Sequence, residues 1–365
     1  MSEILNTHLL AHSVLEDFAK EVFLKMGHTK ENALLASQVL IKADLRGIDS
    51  HGMARLSGYV RLWQKKRINA NPILKTLYET NSTASLDGDA GLGLVIGPKA
   101  MDMAIEKAEY CGSGWIAVKN SNHFGIAAYH AMKALPRDMI GIAMTNASPL
   151  VAPALSIERM LGTNPMCFAF PSGSENPVVV DMATSAAANG KLELAQYQNK
   201  EIPEGWVQDS QGRSSTSPFE LKKGGSLLPL GGDRDHGSHK GYALGSVVDI
   251  LSAVLSGANY GPWVPPFVSF LEPSENPVGE GLGHFFGALR VDGFRPVEEF
   301  KKNMDNWIKR FNQAQPSPGN PRVLVPGEPE FIIELEREKN GIPLLKSVYR
   351  DLLEIGKQLE LEPKF

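Results

Sequence analysis

Gly88-Asp89-Ala90-Gly91-Leu92-Gly93-Leu94-Val95-Ile96-Gly97 follows a strand-like Ser85-Leu86-Asp87 and precedes a helix-compatible run, the context in which a dinucleotide-binding turn would lie. A classical Rossmann domain places a strand, then glycines spaced G-x-G-x-x-G, then a helix, because each glycine separately turns the chain, admits a pyrophosphate or lets the helix pack closely. Here the glycines fall at 88, 91, 93 and 97, so the spacing fails. The run reads as a flexible turn before a helix, and a classical Rossmann site is not expected.

Short strand-like segments nonetheless recur around it, at Ser85-Leu86-Asp87, Trp115 to Val118, Ile140 to Met144 and Val178 to Asp181, separated by helical or glycine-containing stretches. That texture predicts an α/β domain. Upstream, Val14, Leu15, Phe18, Val22, Phe23 and Met26 recur at helical spacing until Gly27, and Thr29 can cap a second helix running through Ala43. Downstream, residues 199–240 read as loops and short hairpins, Gly241 to Leu255 as helix, and Pro262 to Gly283 as a long ordered loop. A strand is expected at His284 to Val291, a helix at Glu298 to Asn312, and a last helix near Leu344 to Leu359 after the prolines of residues 316–329. The terminal helices are expected to pack with the N-terminal ones, so that 1–78 and 295–365 form one lobe and 79–294 the other.

Bulk properties narrow the function. The 365 residues, 42% hydrophobic and 21% charged, suit an ordinary globular chain large enough for a cleft between two lobes. Net charge is −4 with no long basic block, which disfavours nucleic acid and anionic membrane as partners. The two cysteines, Cys111 and Cys167, lack CxxC spacing and suit a reducing cytoplasm. The opening MSEILNTHLLAHSVLEDF carries acids where a signal peptide needs basic residues, and no apolar run approaches the roughly 18 residues of a membrane span. No HxH, HExxH or acid cluster suggests a catalytic metal. His284, between Gly283 and Phe285, reads as a strand residue.

Several polar stretches could carry chemistry. In Asp49-Ser50-His51-Gly52-Met53-Ala54-Arg55-Leu56-Ser57-Gly58-Tyr59, continued helix would put His51, Arg55 and Tyr59 on one face. Imidazole exchanges protons near neutrality and guanidinium grips a carboxylate through two parallel hydrogen bonds, which suits a 2-oxo acid. Lys119-Asn120-Ser121-Asn122-His123-Phe124-Gly125 directly follows a strand-like run, where α/β proteins gather ligands, although His123 could equally cap the helix starting near Ile126. Thr145-Asn146-Ala147-Ser148 and Gly162-Thr163-Asn164 are turns with small polar side chains able to hold phosphate or carboxamide. Asp181-Met182-Ala183 ends a strand with an acid able to bind ribose hydroxyls, and Lys240-Gly241 opens an apolar helix.

Taken in order, ADLRGIDSHGMARL (43–56), VKNSNHFGIAAYHA (118–131), TNASPLVAP (145–153), GTNPMCFAFP (162–171), VVVDMATS (178–185), HKGYALGSVVDILSAVLSGA (239–258) and VPGEPE (325–330) resemble the malate/L-lactate dehydrogenase family. That family also includes ureidoglycolate, sulfolactate and diketogulonate oxidoreductases. The resemblance implies a sulfolactate dehydrogenase-like α/β fold, with a non-Rossmann NAD(P)-binding domain of mixed sheet and a second domain from both chain ends, generally working as an intertwined homodimer. It implies NAD or NADP as cofactor, held near Asn146, Thr163, Asn164, Asp181, Met182, Ala183, Lys240, Gly241, Gly327 and Glu328. It implies a small carboxylic acid as substrate, of malate or lactate type, contacted by Ser50, Arg55, Tyr59 and Ser148. Hydride passes between nicotinamide and the 2-carbon while a histidine moves the proton. Either His51 or His123 matches the acid/base position; His123 is preferred, with His51 orienting the substrate and Arg55 taking its carboxylate. Ala147-Ser148 replaces the Ser-Asp of ureidoglycolate enzymes, which argues against that substrate. Cyclic imino acids and diketo sugar acids stay as alternatives, as does a non-catalytic nucleotide or carboxylate binder on the same fold.

Overall fold

Residues 7–365 are described by a computed structural model. A short strand β1 (Thr7–Leu10) leads into α1 (His12–Lys25), which buries Leu15, Phe18, Ala19, Val22 and Phe23 at helical spacing. Gly27, at φ +97°, takes the left-handed turn that separates it from α2 (Lys30–Leu45). The Thr29 hydroxyl accepts the Asn32 N–H at 3.2 Å and so caps α2. After two 3₁₀ turns, Asp49–His51 and Met53–Arg55, comes α3 (Leu56–Gln64).

The central domain then unrolls as β2 (Lys75–Glu79), β3 (Thr83–Gly91), α4 (Gly93–Cys111), β4 (Ser113–Ser121), α5 (Ala127–Met132), β5 (Met139–Thr145), β6 (Met166–Phe170) and β7 (Val178–Met182). Next are α6 (Asn189–Gln198), the short strands β8 (Val207–Gln208), β9 (Ser214–Ser215) and β10 (Ser226–Leu227), α7 (Ser238–Asp249), which continues as one π-helical stretch through Val254, and β11 (Leu282–Arg290). The chain closes with α8 (Val297–Asn312), α9 (Glu328–Asn340), β12 (Ile342–Leu345) and α10 (Lys346–Gln358).

Seven strands form one mixed sheet in the order β2-β3-β4-β11-β5-β6-β7. Only β3 and β4 are parallel neighbours. β11 arrives from far along the chain and lies between β4 and β5, antiparallel to both. β4 and β5 therefore point the same way and release their carboxyl ends along one edge, where Asn122-His123 and Asn146 to Ser148 follow.

That edge is pinned from within. His284 at the start of β11 is fully buried; its Nδ1 lies 2.7 Å from the Thr145 hydroxyl and its Nε2 2.8 Å from the Ser121 hydroxyl. One imidazole thus ties the ends of three strands. His284 is a strand residue, as its apolar neighbours suggest, but its ring is a strut and not packing filler.

Both chain ends join one core. Leu15, Phe18, Val22 and Phe23 of α1, Val39 and Leu40 of α2, and Leu56 and Tyr59 of α3 pack with Ile342, Leu344, Leu352 and Ile355. β1 pairs with β12 in an antiparallel ribbon, Thr7 opposite Leu345 and Leu10 opposite Ile342. Each fully buried aliphatic or phenyl group contributes about 1.5–3 kcal/mol. Among the described residues no helix is long and apolar enough to cross a membrane.

Three elements depart from the sequence reading. β6 lies where a polar turn and an isolated cysteine drew attention; its alternating burial over Met166–Phe170 is a strand pattern too short to stand out. α9 begins inside the proline cluster because Pro329 occupies the first turn, where the missing N–H costs nothing. In α2 the apolar spacing of Leu34, Leu35, Val39, Leu40 and Ala43 predicts one buried face, but Leu34 faces solvent while Ala33, Ala36 and Ser37 are buried, since small residues let α2 approach its neighbours closely.

Candidate active site

The segment carrying His51 does not continue as one helix. Asp44, near the end of α2, is buried, and its carboxylate accepts the Met53 N–H at 2.7 Å. The carboxyl fills the space beside Gly52, so that any Cβ there would come within 2.1 Å of it. Only glycine fits, and the chain breaks into two turns around it. Burial raises the Asp44 pKa well above the usual carboxylate range, with the Met53 N–H opposing. From outside, Arg337 of α9 pairs with Asp49 and donates to the Asp44 carbonyl. The Asp49-Ser50-His51 turn is therefore clamped from α2 and from α9.

His51, from the first of these turns, and Tyr59, from α3, meet at His123. The two imidazoles stack with centroids 5.6 Å apart and planes 24° from parallel. The Tyr59 hydroxyl lies 2.6 Å from His123 Nδ1, and the Gly125 N–H approaches the same nitrogen at 3.4 Å. An amide can only donate, so Nδ1 is the acceptor and the neutral ring carries its proton on Nε2. The Ser50 hydroxyl lies 2.9 Å from His51 Nδ1. Burial, then Arg55, lowers the His51 pKa to about 3; burial, then His51, Arg55 and His284, holds His123 well below its ordinary value. Tyr59 is pushed upward by burial. His51 and His123 are both half-buried.

Phe267, from the long loop before β11, covers this group. Its ring is 4.8 Å from that of His123 and 5.3 Å from that of Tyr59, and Arg55 lies over it at 6.0 Å. It fits because residue 58 is glycine: a Cβ there would meet the ring at 2.4 Å. The Ser148 hydroxyl accepts the Phe267 N–H at 2.8 Å, Arg61 donates to the Phe267 carbonyl, and Arg67 donates to the Pro266 carbonyl at 2.8 Å. Ser148 thus holds the covering loop. Arg55 spends its Nε on the Ser50 carbonyl and turns Nη2 toward Glu193 of α6 at 3.3 Å. Nothing in the sequence flagged Phe267, Glu193 or Asp44; only Gly52 and Gly58, as small residues inside a polar motif, hinted at close packing.

A cavity of about 360 Å³ lies beside this group, walled by Arg46, Ile48, Ala128, Asp181, Met182, Gly327 and Glu330 among others. Ile48 and Ala128 sit a few residues from His51 and His123, so the same two chain segments border both regions. Asp181 accepts the Ala128 N–H at 2.8 Å, and burial raises its pKa to about 6 against that bond and Arg46. Arg46 is buried, pairs with Glu334 at 3.1 Å, and leaves its Nε without a partner. Gly327, at φ +89°, lies so close to Val179 that a Cβ would come within 2.9 Å. An orphaned donor, a carboxylate and a glycine rim fit a polar, ribose-like group.

The remaining sequence candidates are dispersed. Asn146 and Asn164 are buried with their amides bonded to backbone, Asn146 to Asn259 and Gly283 and Asn164 to Gly245 and Ala147. The Thr163 carbonyl accepts the Thr184 N–H at 2.9 Å. Lys240 is exposed, and Gly241 presses on the Leu230 backbone. Ala183 follows Met182 at the cavity edge. Glu328 turns back onto the Val325 N–H at 3.1 Å and pairs with Arg322 at 2.5 Å.

A profile of the malate/L-lactate dehydrogenase family matches residues 10–353. The chain is 44% identical to a malate dehydrogenase of Pyrococcus abyssi over 94% of its own length and 93% of that protein. Its fold is similar to the structure of malate dehydrogenase from Pyrococcus horikoshii OT3, with TM-score 0.89 and 38% identity over 98% of this chain and 97% of that one. It is also similar to the sulfolactate dehydrogenase structure from Methanocaldococcus jannaschii, with TM-score 0.87 and 36% identity over 98% and 99%.

Proposed function

The chain belongs to the malate/L-lactate dehydrogenase family and is a 2-hydroxyacid dehydrogenase, and from that premise we propose that it interconverts malate-type 2-hydroxy and 2-oxo acids with His123 as acid/base. The observation carrying this reading is the stacked His51–His123 pair, backed by Tyr59 and flanked by Arg55. A nicotinamide dinucleotide, bound with its ribose end at Asp181 and Gly327, would supply or accept the hydride. Arg55 holds the substrate carboxylate, and His51, steadied by Ser50, orients the 2-oxygen. His123 exchanges the proton through Nε2, because Nδ1 is committed to Tyr59 and Gly125. Phe267 keeps water from the ring faces.

Two further parts of the proposal concern the protein as a whole. The exposed faces of Val247, Ile250 and Val254 form an apolar stripe along α7, which supports pairing with a second copy into a homodimer. The free thiols Cys111 and Cys167 suit a reducing cytoplasm. The core shared by both chain ends supports one lobe from 1–78 and 295–365 beside a nucleotide lobe over 79–294.

The test follows the ultraviolet absorbance of NADH and of NADPH with oxaloacetate, pyruvate, 2-oxoglutarate and sulfopyruvate. Turnover fastest with oxaloacetate supports the proposal. Turnover only with sulfopyruvate or pyruvate overturns the malate assignment, and absence of turnover with every acid overturns the catalytic reading.

A further inference from the structure

Glu193 stands on the guanidinium that the proposed reading gives to the substrate. α6 packs against the Ser50 turn at its first turn: Gly190 lies so close to Ser50 that a Cβ would come within 2.5 Å of the serine Cβ and 3.3 Å of Arg55 Nη2. One turn on, a single Glu193 oxygen meets Arg55 Nη2 at 3.3 Å, while the other accepts from Asn189 Nδ2 at 2.8 Å. The Arg55 side chain is 15% exposed and that of Glu193 40%. The contact is long, single-pointed and open to water on the acid's side. A free carboxylate can meet the terminal nitrogens of Arg55 through two short parallel bonds, which are shorter and stronger.

We propose that Glu193 is an internal carboxylate that occupies Arg55 in the empty site and is displaced by the carboxylate of the incoming acid. The inference rests on the assignment of Arg55 to that carboxylate. Arg55 is mostly buried, and Glu193 supplies a counter-charge between turnovers at little cost because its own carboxylate stays partly exposed and held by Asn189. Exchange of one carboxylate for another keeps the charge on Arg55 balanced, and a neutral ligand lacks the charge to drive it. Glu193 is therefore a specificity-setting residue: it raises the affinity threshold for every ligand and lets anions pass it best. Its effect runs opposite to that of a supporting residue, since removing its charge strengthens binding.

The test is calorimetric titration with oxamate, a small carboxylate bearing an adjacent carbonyl, of the full-length protein saturated with reduced dinucleotide. Glu193→Gln keeps the acceptor for Asn189 and removes the charge, and oxamate should bind about two- to fivefold more tightly. KM for the 2-oxo acid should fall alongside. Arg55→Gln should weaken oxamate more than tenfold and make the Glu193→Gln effect vanish in the double variant. Should Glu193→Gln bind oxamate equally or more weakly while Arg55→Gln loses it, Glu193 supports Arg55 and the displacement idea is overturned with the carboxylate assignment intact. Unchanged binding by Arg55→Gln would overturn that assignment itself.

Discussion

Nδ1 of His123 receives the Tyr59 hydroxyl at 2.6 Å, and this bond fixes which nitrogen faces the chemistry. Tyr59 is buried and belongs to α3, whereas His123 follows β4, so the bond joins the terminal-helix core to the sheet edge. Tyr59→Phe keeps the ring packing and removes the bond. It should lower kcat/KM by about tenfold, equivalent to about 1.4 kcal/mol, with a Tm change of only a few degrees. Unaltered kinetics would detach Tyr59 from the mechanism.

Gly52 faces the Asp44 carboxyl with no room for a methyl group. Gly52→Ala should therefore destabilise the protein by about 1–3 kcal/mol in denaturant titration and shift the His51 turn, costing activity even where the variant stays folded. Wild-type activity in a folded Gly52→Ala protein would show that the turn position is not critical.

Glu334 pairs with the buried Arg46 beside the cavity and, through its other oxygen, with Lys42, which is exposed enough to stay hydrated when the acid is removed. Removing one partner strands a charge away from water. Glu334→Leu should cost about 3–5 kcal/mol, while Arg46→Met with Glu334→Leu together should recover much of that loss. Equal destabilisation by the single and double variants would mean that the pairing itself carries the stability. Dinucleotide affinity should fall in both, because Arg46 walls the cavity.

Much of this was legible in the sequence, for identifiable reasons. Helices α1 and α2 announced themselves through apolar spacing, Gly27 and the Thr29 cap, and the failed glycine spacing at residues 88–97 excluded a Rossmann turn. His51, Arg55, Tyr59 and His123 were named from local motifs, and they do converge. The long-range partners were not legible. β11 enters between β4 and β5 from more than a hundred residues away, and Glu193 and Phe267 approach Arg55 from loops and helices that carry no motif. Asn146 and Asn164 show the same limit: a polar side chain in a turn looks the same in sequence whether it faces a ligand or, as these amides do, bonds the backbone of distant segments.

Buried histidines set the acid limit of stability. Burial lowers His28 and His130 to about 4 and His284 to about 3. The unfolded chain takes up protons near pH 6.5 that the folded chain refuses, so their contribution is complete above 6.5 and is lost as pH falls toward 4. Asp181, raised to about 6, and Asp44, Asp249 and Asp351, also raised by burial, work the other way, but with His51 and His123 lowered as well five imidazoles outnumber four carboxyls. Tm should fall steadily between pH 6.5 and pH 5 in calorimetric scans. A Tm that held constant over that interval would mean that the rings are protonated in the fold.

The assignment of His123 as acid/base is tested most directly by the steady-state kinetics of His123→Ala and His51→Ala with oxaloacetate and reduced dinucleotide. His123→Ala should lose about 10²–10⁴-fold in kcat, with oxamate still bound, while His51→Ala should raise KM and keep a larger share of kcat. Full kcat in His123→Ala together with an inactive His51→Ala would contradict it and move the proton transfer to His51.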